Sequence, residues 1–599
     1  MVKSILLRGA LLVLLISSAW QPLQVGAASR LAGNASPYLA MHAGDPVDWH
    51  EWGAAALAEA RRQDRLLLVS VGYFACHWCH VMQRESYRDA EVARLLNAQF
   101  VPVKVDKELN AALDAMLQDF SERTRGRAGW PLNVFVTPDG YPLFAMQYAS
   151  REEFLRIAGV LAERWRKDRA RLQAAARAAA VSPPEPLLPG DLRAAYLGRA
   201  FEEADWLRGG FGAVAKFPQA PQLLTLLDLQ AESPDAKLAE FLRLTLDRMA
   251  ERGLQDHVSG GFFRYTVDPD WLQPHFEKML YDNAQLALIY GRAARILGDE
   301  RYARLARKTL DFVLARMAAG GAYVASLSAV DAAGVEGASY LWPAQQLQAL
   351  LAEQEWQAVR SLWALDAPAH FAFGFLPAPQ REASAAELAL QQSAWRKLAA
   401  ARSDIRVPRD EKVVSGWNGL LLAALAESAD IAPGPHAAAA EQLYRFIHEQ
   451  LWTGQALHKG MAGGQVLSGA ELEDYAYVAF GVWRYAAIRG DDAARRFAVQ
   501  LQRAAWQRFY KRGVFQLEAQ RLLAAASDAW EDGYLPAPAP LLVELGLQSG
   551  DAELAAKAAK ALARARKTVG GDPFWRSGLV RLAIPAQPGA SAGVSRFEH

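Results

Sequence analysis

Apolar positions in the first third of the chain switch between two periods. Ala54 to Arg62 carries them at helical spacing, and Leu66-Leu67-Leu68-Val69-Ser70-Val71 follows as a nearly continuous apolar run of strand length. Val81 to Ala98 returns to the helical period. Phe100-Val101-Pro102-Val103-Lys104-Val105 reads as a second strand, Glu108 to Glu122 as a helix, and Leu132-Asn133-Val134-Phe135-Val136 as a third strand. Pro138-Asp139-Gly140 is a turn signal, so Tyr141 to Gln147 is expected back as an antiparallel fourth strand, before a helix from Arg151 to Arg171. This order, βα-βα-ββα, predicts a small open sheet flanked by helices.

The pattern then changes. Residues 174–189 are rich in Ala and Pro and read as a linker. Beyond them the chain is Ala/Leu-rich helix, interrupted by Gly209-Gly210, Gly260-Gly261, Gly320-Gly321 and Gly463-Gly464. The first three pairs lie 51 and 60 residues apart, about one helical hairpin each. Residues 190–599 therefore predict six hairpins closed into a ring, an all-α (α/α)6 toroid.

The start of the chain looks like an address. A short basic stretch from Met1 to Arg8 precedes an apolar run from Gly9 to Trp20, then Val25-Gly26-Ala27-Ala28-Ser29. That is the three-part secretory pattern, with cleavage expected after Ala27 or Ala28, and the apolar core is too short to span a bilayer. Residues 1–28 are thus expected to be a signal peptide and the mature chain to be periplasmic or secreted. With 66 Lys plus Arg against 65 Asp plus Glu, the net charge is +1, which offers no footprint for nucleic acid or an anionic membrane. No segment after the leader is apolar for long enough to span a membrane.

Only two cysteines occur, and they sit together in Phe74-Ala75-Cys76-His77-Trp78-Cys79-His80, between the first buried strand and a helix. Three-residue spacing puts both sulfurs on the first helical turn, where unpaired N–H groups and the helix dipole favour a thiolate. Cys76 is expected to be the more exposed, attacking thiol and Cys79 the resolving one. His77 would stabilise the thiolate, and Trp78 would cover the sulfurs or meet a partner. Three other readings stand beside dithiol redox chemistry: the CxxCH string also fits haem attachment, metal binding has no second ligand cluster, and the pair could be a purely structural disulfide. No cofactor or metal is called for.

Many longer strings carry a resemblance. Ser36-Pro37-Tyr38-Leu39, Pro46-Val47-Asp48-Trp49, the Cys76–Cys79 motif, Val103-Lys104-Val105-Asp106 and Gly129-Trp130-Pro131-Leu132 are among them. So are Lys216-Phe217-Pro218, Asp256-His257, Arg264-Tyr265, Pro274-His275-Phe276-Glu277-Lys278-Met279-Leu280-Tyr281-Asp282-Asn283, Trp417-Asn418-Gly419-Leu420 and Asp474-Tyr475-Ala476. Together they resemble the family that joins a thioredoxin-like N-domain to a six-hairpin barrel, the spermatogenesis-associated protein 20 group. The resemblance implies a thioredoxin fold for residues 29–173, with Pro131 as a cis-proline facing the thiols. It also implies a barrel similar to N-acylglucosamine 2-epimerases and six-hairpin glycosidases. Two departures matter: Ser326-Leu327-Ser328-Ala329-Val330-Asp331 lacks two carboxylates usual in relatives, and Asp410-Glu411-Lys412 replaces Asp-Asp-Lys. The strand Leu66 to Val71 also lacks the buried acid of ordinary thioredoxin.

Three apolar helices start with polar or aromatic groups: Glu277, Tyr281 and Asp282; Trp417 and Asn418; Asp474 and Tyr475. If they line the ring in parallel, these starts gather at one mouth with Lys216, His257, Arg264 and His275. The expectation is an exported thiol–disulfide oxidoreductase acting on a protein thiol or disulfide partner. Its barrel would bind a small, sugar-like ligand or present clients. The rivals are a carbohydrate-active barrel with a vestigial thioredoxin domain, and a non-catalytic interaction protein.

Overall fold

The computed structural model describes residues 29–181, 185–402, 406–431, 434–524 and 528–583. The expected signal peptide, residues 1–28, lies outside them.

The first domain is built on a five-stranded sheet. Its strands are β1 (His50–Glu51), β2 (Leu66–Gly72), β3 (Phe100–Asp106), β4 (Leu132–Val136) and β5 (Pro142–Met146), in the order β1-β3-β2-β4-β5. β3 pairs parallel with β1 and β2, while β4 runs antiparallel to β2 and β5. Every residue of β2 and β3 is buried, as expected for strands covered on both faces. The helices are α1 (Pro37–Met41), α2 (Ala54–Gln63), α3 (His77–Met82), α4 (Ala90–Gln99), α5 (Ala111–Arg125), α6 (Arg151–Lys167) and α7 (Arg169–Ala179).

Three details differ from expectation. β1 was not foreseen, because two polar residues carry no strand period. The single helix expected from Val81 to Ala98 is broken near Asp89, whose carboxylate caps α4 by accepting from the N–H groups of Glu91 and Val92. The segment read as linker from residue 174 begins inside α7, since its alanines favour helix.

The second domain is a closed ring of six outer–inner helix pairs. They are α8 (Leu192–Glu203) with α9 (Ala220–Glu232), α10 (Ala236–Glu251) with α11 (Leu280–Leu297), and α12 (Glu300–Arg316) with α16 (Ser415–Ile431). Between the last two, α13 (Ala344–Leu350), α14 (Glu353–Leu362) and α15 (Ala385–Ala401) form an outer insertion, so the hairpins are unequal in length. The ring continues with α17 (Pro435–Phe446) and α18 (Leu472–Arg489), α19 (Asp492–Phe509) and α20 (Pro538–Gln548), and α21 (Ala552–Thr568) and α22 (Ser577–Arg581), which packs back on α9. The inner helices α11 and α16 are buried along most of their length, which explains their all-round apolar sequences. α16 and α18 approach so closely that a Cβ on Gly419 would lie 2.6 Å from the Tyr477 backbone. The starts of α11, α16 and α18 lie on the side of the thioredoxin-like domain, where Glu277 meets Tyr73, Lys412 meets Asp106 and Glu471 meets Ala111.

Candidate redox site at the domain interface

Cys76 is the N-cap of α3, and its Sγ accepts the Cys79 N–H at 3.2 Å. The two sulfurs are joined as a disulfide. The Trp130–Pro131 bond is cis. Leu132, the next residue, pairs with Val71 at the end of β2, so the cis-proline flanks the strand end that feeds the cysteine loop. Gly72 is required there: a Cβ would collide with the Tyr38 hydroxyl and Cys79 Sγ. That hydroxyl is buried without a hydrogen-bond partner, so it lies beside the disulfide with a proton to donate.

The site is roofed. Cys76 is 3% and Cys79 1% exposed, so the expectation of an exposed attacking thiol is wrong for this arrangement. A barrel loop lies against the cysteine loop here. The Ala329 N–H, on a barrel loop, donates to the Ala75 carbonyl at 3.3 Å. From the same loop, Glu336 Oε2 lies 3.5 Å from His77 Nε2, and its Oε1 is 2.7 Å from His275 Nδ1. Trp78 is the exception at 42% exposed, and it packs on Tyr148 and His77. Burial lowers the His77 pKa, with Glu336 opposing. At His275 burial also acts downward, but the hydrogen bond and charge of Glu336 outweigh it and hold the imidazole above its usual value.

The docked face holds an aromatic and charged cluster shared by both domains. The Tyr73 hydroxyl donates to Glu277 at 2.6 Å and accepts from Arg264. The Lys107 ammonium sits 4.3 to 4.6 Å from the ring centres of Tyr73, Trp130 and Tyr534, a cation–π box. Tyr281 packs against Trp417 and Tyr534, with ring centres 4.6 and 5.2 Å away. Burial pushes Asp282 up to about 7, with Arg264 and Lys107 pulling the other way, and its Oδ2 has no partner. Tyr281 Oη and Arg264 Nε are also buried and unpartnered.

Nearby, Lys412 Nζ lies 2.7 Å from Asp106, 2.9 Å from Glu108 and 2.6 Å from Asp410, all fully buried. Three carboxylates around one ammonium cannot all remain charged; burial, moderated by Lys412, raises Glu108 to about 8. Glu471 of the barrel accepts the N–H groups of Ala111 and Ala112 at 2.9 and 3.3 Å, capping α5 across the interface.

The structure places Arg264, Glu277, Tyr281, Asp282 and Trp417 together, all buried, on the face where the domains meet, and His275 at the cysteine loop. It does not place the other five there. Lys216 is locked to Asp205 and the Gly212 carbonyl. His257 stacks on Trp395 and bonds the Arg252 carbonyl. Asn418 ties the Tyr323 backbone, Asp474 holds Lys459 and the Gly416 N–H, and the Tyr475 hydroxyl accepts the Leu457 N–H. These are residues whose local polar needs are met within the fold. Glu336, Tyr73, Lys107, Glu108, Trp130, Lys412 and Tyr534 were not anticipated as site residues, although the Gly129–Leu132 string contains Trp130, the altered Asp410–Lys412 string contains Lys412, and the altered Ser326–Asp331 string lies near Glu336. Among the described residues no group of three or more His, Cys, Asp or Glu could hold a metal ion, and no helix is long and apolar enough to cross a membrane.

Residues 28–182 match the family model Thioredox_DsbH, described as a protein of unknown function, DUF255. Spermatogenesis-associated protein 20 from Homo sapiens is 37% identical over 358 residues, covering 54% of this chain and 45% of that protein. The Rattus norvegicus protein of the same name is 36% identical over 359 residues, with the same coverage of 54% and 45%. The matched region spans less than half the length of these curated relatives. Among solved structures, a cellobiose 2-epimerase from Spirochaeta thermophila is similar at 14% identity and TM-score 0.44, covering 66% of this chain and 96% of that one. A sugar epimerase from a ruminal bacterium is similar at 12% identity and TM-score 0.44, over 64% and 88%. Residues 28–182 are thus similar to the Thioredox_DsbH family, part of the chain is similar to part of spermatogenesis-associated protein 20, and the six-hairpin ring stands behind the matched N-terminal domain.

Proposed function

We propose that the protein is an exported thiol–disulfide oxidoreductase whose Cys76–Cys79 pair works beneath the barrel. The observation that carries this is the Cys79 N–H donating to Cys76 Sγ at the tip of α3. Such a position stabilises a thiolate and makes the disulfide readily reducible. The burial of both sulfurs argues against the free docking of a folded protein partner. Substrates of this reading are low-molecular-weight thiols and disulfides, or an extended peptide admitted when the domains part. The test is turnover of oxidised glutathione and of an extended peptide disulfide by the full chain. Cys76→Ser should abolish both, and equal residual activity in that variant would refute the assignment.

A second reading is favoured by a separate observation. Five aromatic rings (Tyr73, Trp130, Tyr281, Trp417, Tyr534) meet Glu277, Asp282 and Arg264 at the mouth, with unpartnered polar atoms among them. Aromatic faces with convergent acids suit a sugar-like ligand, with the thioredoxin-like domain as the lid. Calorimetric titration with mono- and disaccharides tests this. Binding that is lost in Asp282→Asn supports it, and no heat with any sugar removes it.

A further inference from the structure

The disulfide state leaves His77 half used. Its Nε2 faces Glu336, while its Nδ1 is buried and has no hydrogen-bond partner. The acid that an ordinary thioredoxin places on its central strand is absent; Ser70 stands on β2, and its hydroxyl is held by Tyr87 and Lys104. From the barrel, the Glu336 carboxylate reaches His77 of the cysteine loop. Glu336 is in turn oriented by His275, also from the barrel, at 2.7 Å.

Resting on the thiol–disulfide reading above, we propose that Glu336 is the positioning residue that completes the redox site from the barrel. It holds His77 so that Nδ1 takes the proton released when Cys76 is left as a thiolate. The chemistry balances with a reduced dithiol as the electron donor. One donor thiolate attacks a sulfur of the pair, the Cys76–Cys79 bond breaks, and its electron pair goes to the departing sulfur. The donor's second thiol resolves the mixed disulfide and the donor leaves oxidised. Of its two protons, one ends on Cys79 and the other on His77, giving a Cys76 thiolate beside an imidazolium that faces the Glu336 carboxylate. Undocking the barrel removes that carboxylate, so the redox poise of the pair is coupled to domain closure.

The groups that face His77 have mixed signs. Glu336 and Glu277 favour its charged form, whereas His275, Arg84 and His80 disfavour it. Glu336 is the first-named of the charges acting on it, after burial itself. Removing that charge should therefore be felt at the thiolate.

The test uses the full chain reduced with dithiothreitol. Thiolate absorbance and the rate of alkylation by iodoacetamide are followed from pH 4 to 10. In Glu336→Gln the midpoint for the Cys76 thiolate should rise by about one pH unit or more, the scale set by an opposite charge at close range. Glu336→Asp should recover part of the shift, which a merely structural role would not predict. His275→Asn should give a smaller change in the same direction. A Gln variant that titrates like the wild type overturns this inference and leaves the redox reading standing. A wild-type pair that dithiothreitol cannot reduce in the folded chain defeats that reading and this inference with it.

Discussion

Lys412 is the most informative single position, because it holds the two domains together by charge. Its ammonium lies within 2.9 Å of Asp106 and Glu108 from the thioredoxin-like domain and of Asp410 from the barrel. Lys412→Met keeps most of the apolar stem and removes the charge, leaving the carboxyl groups buried without a counter-ion. Breaking a buried ion pair by deleting one partner costs about 3–5 kcal/mol. Parting the domains would rehydrate Asp106 and Glu108, so much of that loss should fall on the docking equilibrium. At about 1.4 kcal/mol per factor of ten, the open fraction should rise roughly a hundredfold or more. The assay is the rate at which a protein-sized dithiol reduces Cys76–Cys79, read by alkylation and mass spectrometry. The rate should rise by about that factor. Lys412→Met/Asp106→Asn should fall part of the way back, since one carboxylate fewer is left buried without its counter-ion. An unchanged rate together with unchanged unfolding stability would refute the argument that docking gates the sulfurs.

Other outcomes follow from named groups. Asp282 is raised from 3.8 to about 7 chiefly by burial, so its contribution to stability is full below pH 3.8 and lost as the pH rises through 7. Asp282→Asn should gain on the wild type between pH 4 and pH 8, by at most about 4 kcal/mol at roughly 1.4 kcal/mol per pH unit. Denaturant titrations at the two pH values check this, and a constant difference would contradict it. Glu427 ties Arg292 of α11, at 2.8 Å, to Arg484 of α18, at 3.0 Å. Burial opposes its ionisation, but these arginines prevail and depress its pKa, so its contribution is present above pH 4.5 and shrinks as acid is added. Glu427→Gln should lose about 3–5 kcal/mol at pH 7, measured by denaturant unfolding, with the gap narrowing in acid. Tyr38→Phe removes an unpartnered buried hydroxyl beside Cys79. It should leave the oxidised protein as stable or more so and destabilise the reduced one by about 1–3 kcal/mol, seen as paired thermal melts. Equal effects on both states would show that the hydroxyl never serves the thiols.

The fold was legible where its causes are local. Leu66–Val71 and Phe100–Val105 announce buried strands by unbroken apolar runs, and Pro138-Asp139-Gly140 announces the hairpin. The inner position of α11 and α16 was legible because helices apolar all round have nowhere to go but inside. The cysteine motif was visible because three residues and one helix end set its chemistry. What joins the domains was not visible. Tyr73 meets Glu277 across 204 residues and Ala111 meets Glu471 across 360, and no local period encodes such pairs. The same gap made Lys216, His257, Asn418, Asp474 and Tyr475 look like a binding mouth. An aspartate that caps a helix and one that faces a ligand share the same neighbours in sequence, and only tertiary contacts separate them. The contacts of Ala329 with Ala75 and of Glu336 with His77 have the same origin.

The most direct test is the reduction potential of the Cys76–Cys79 pair in the folded full-length chain, equilibrated with graded dithiothreitol buffers and trapped by alkylation. A working oxidoreductase requires reversible reduction at a potential between about −120 and −270 mV. A pair that resists reduction until below about −300 mV, or opens only as the chain unfolds, is a structural staple and contradicts the account.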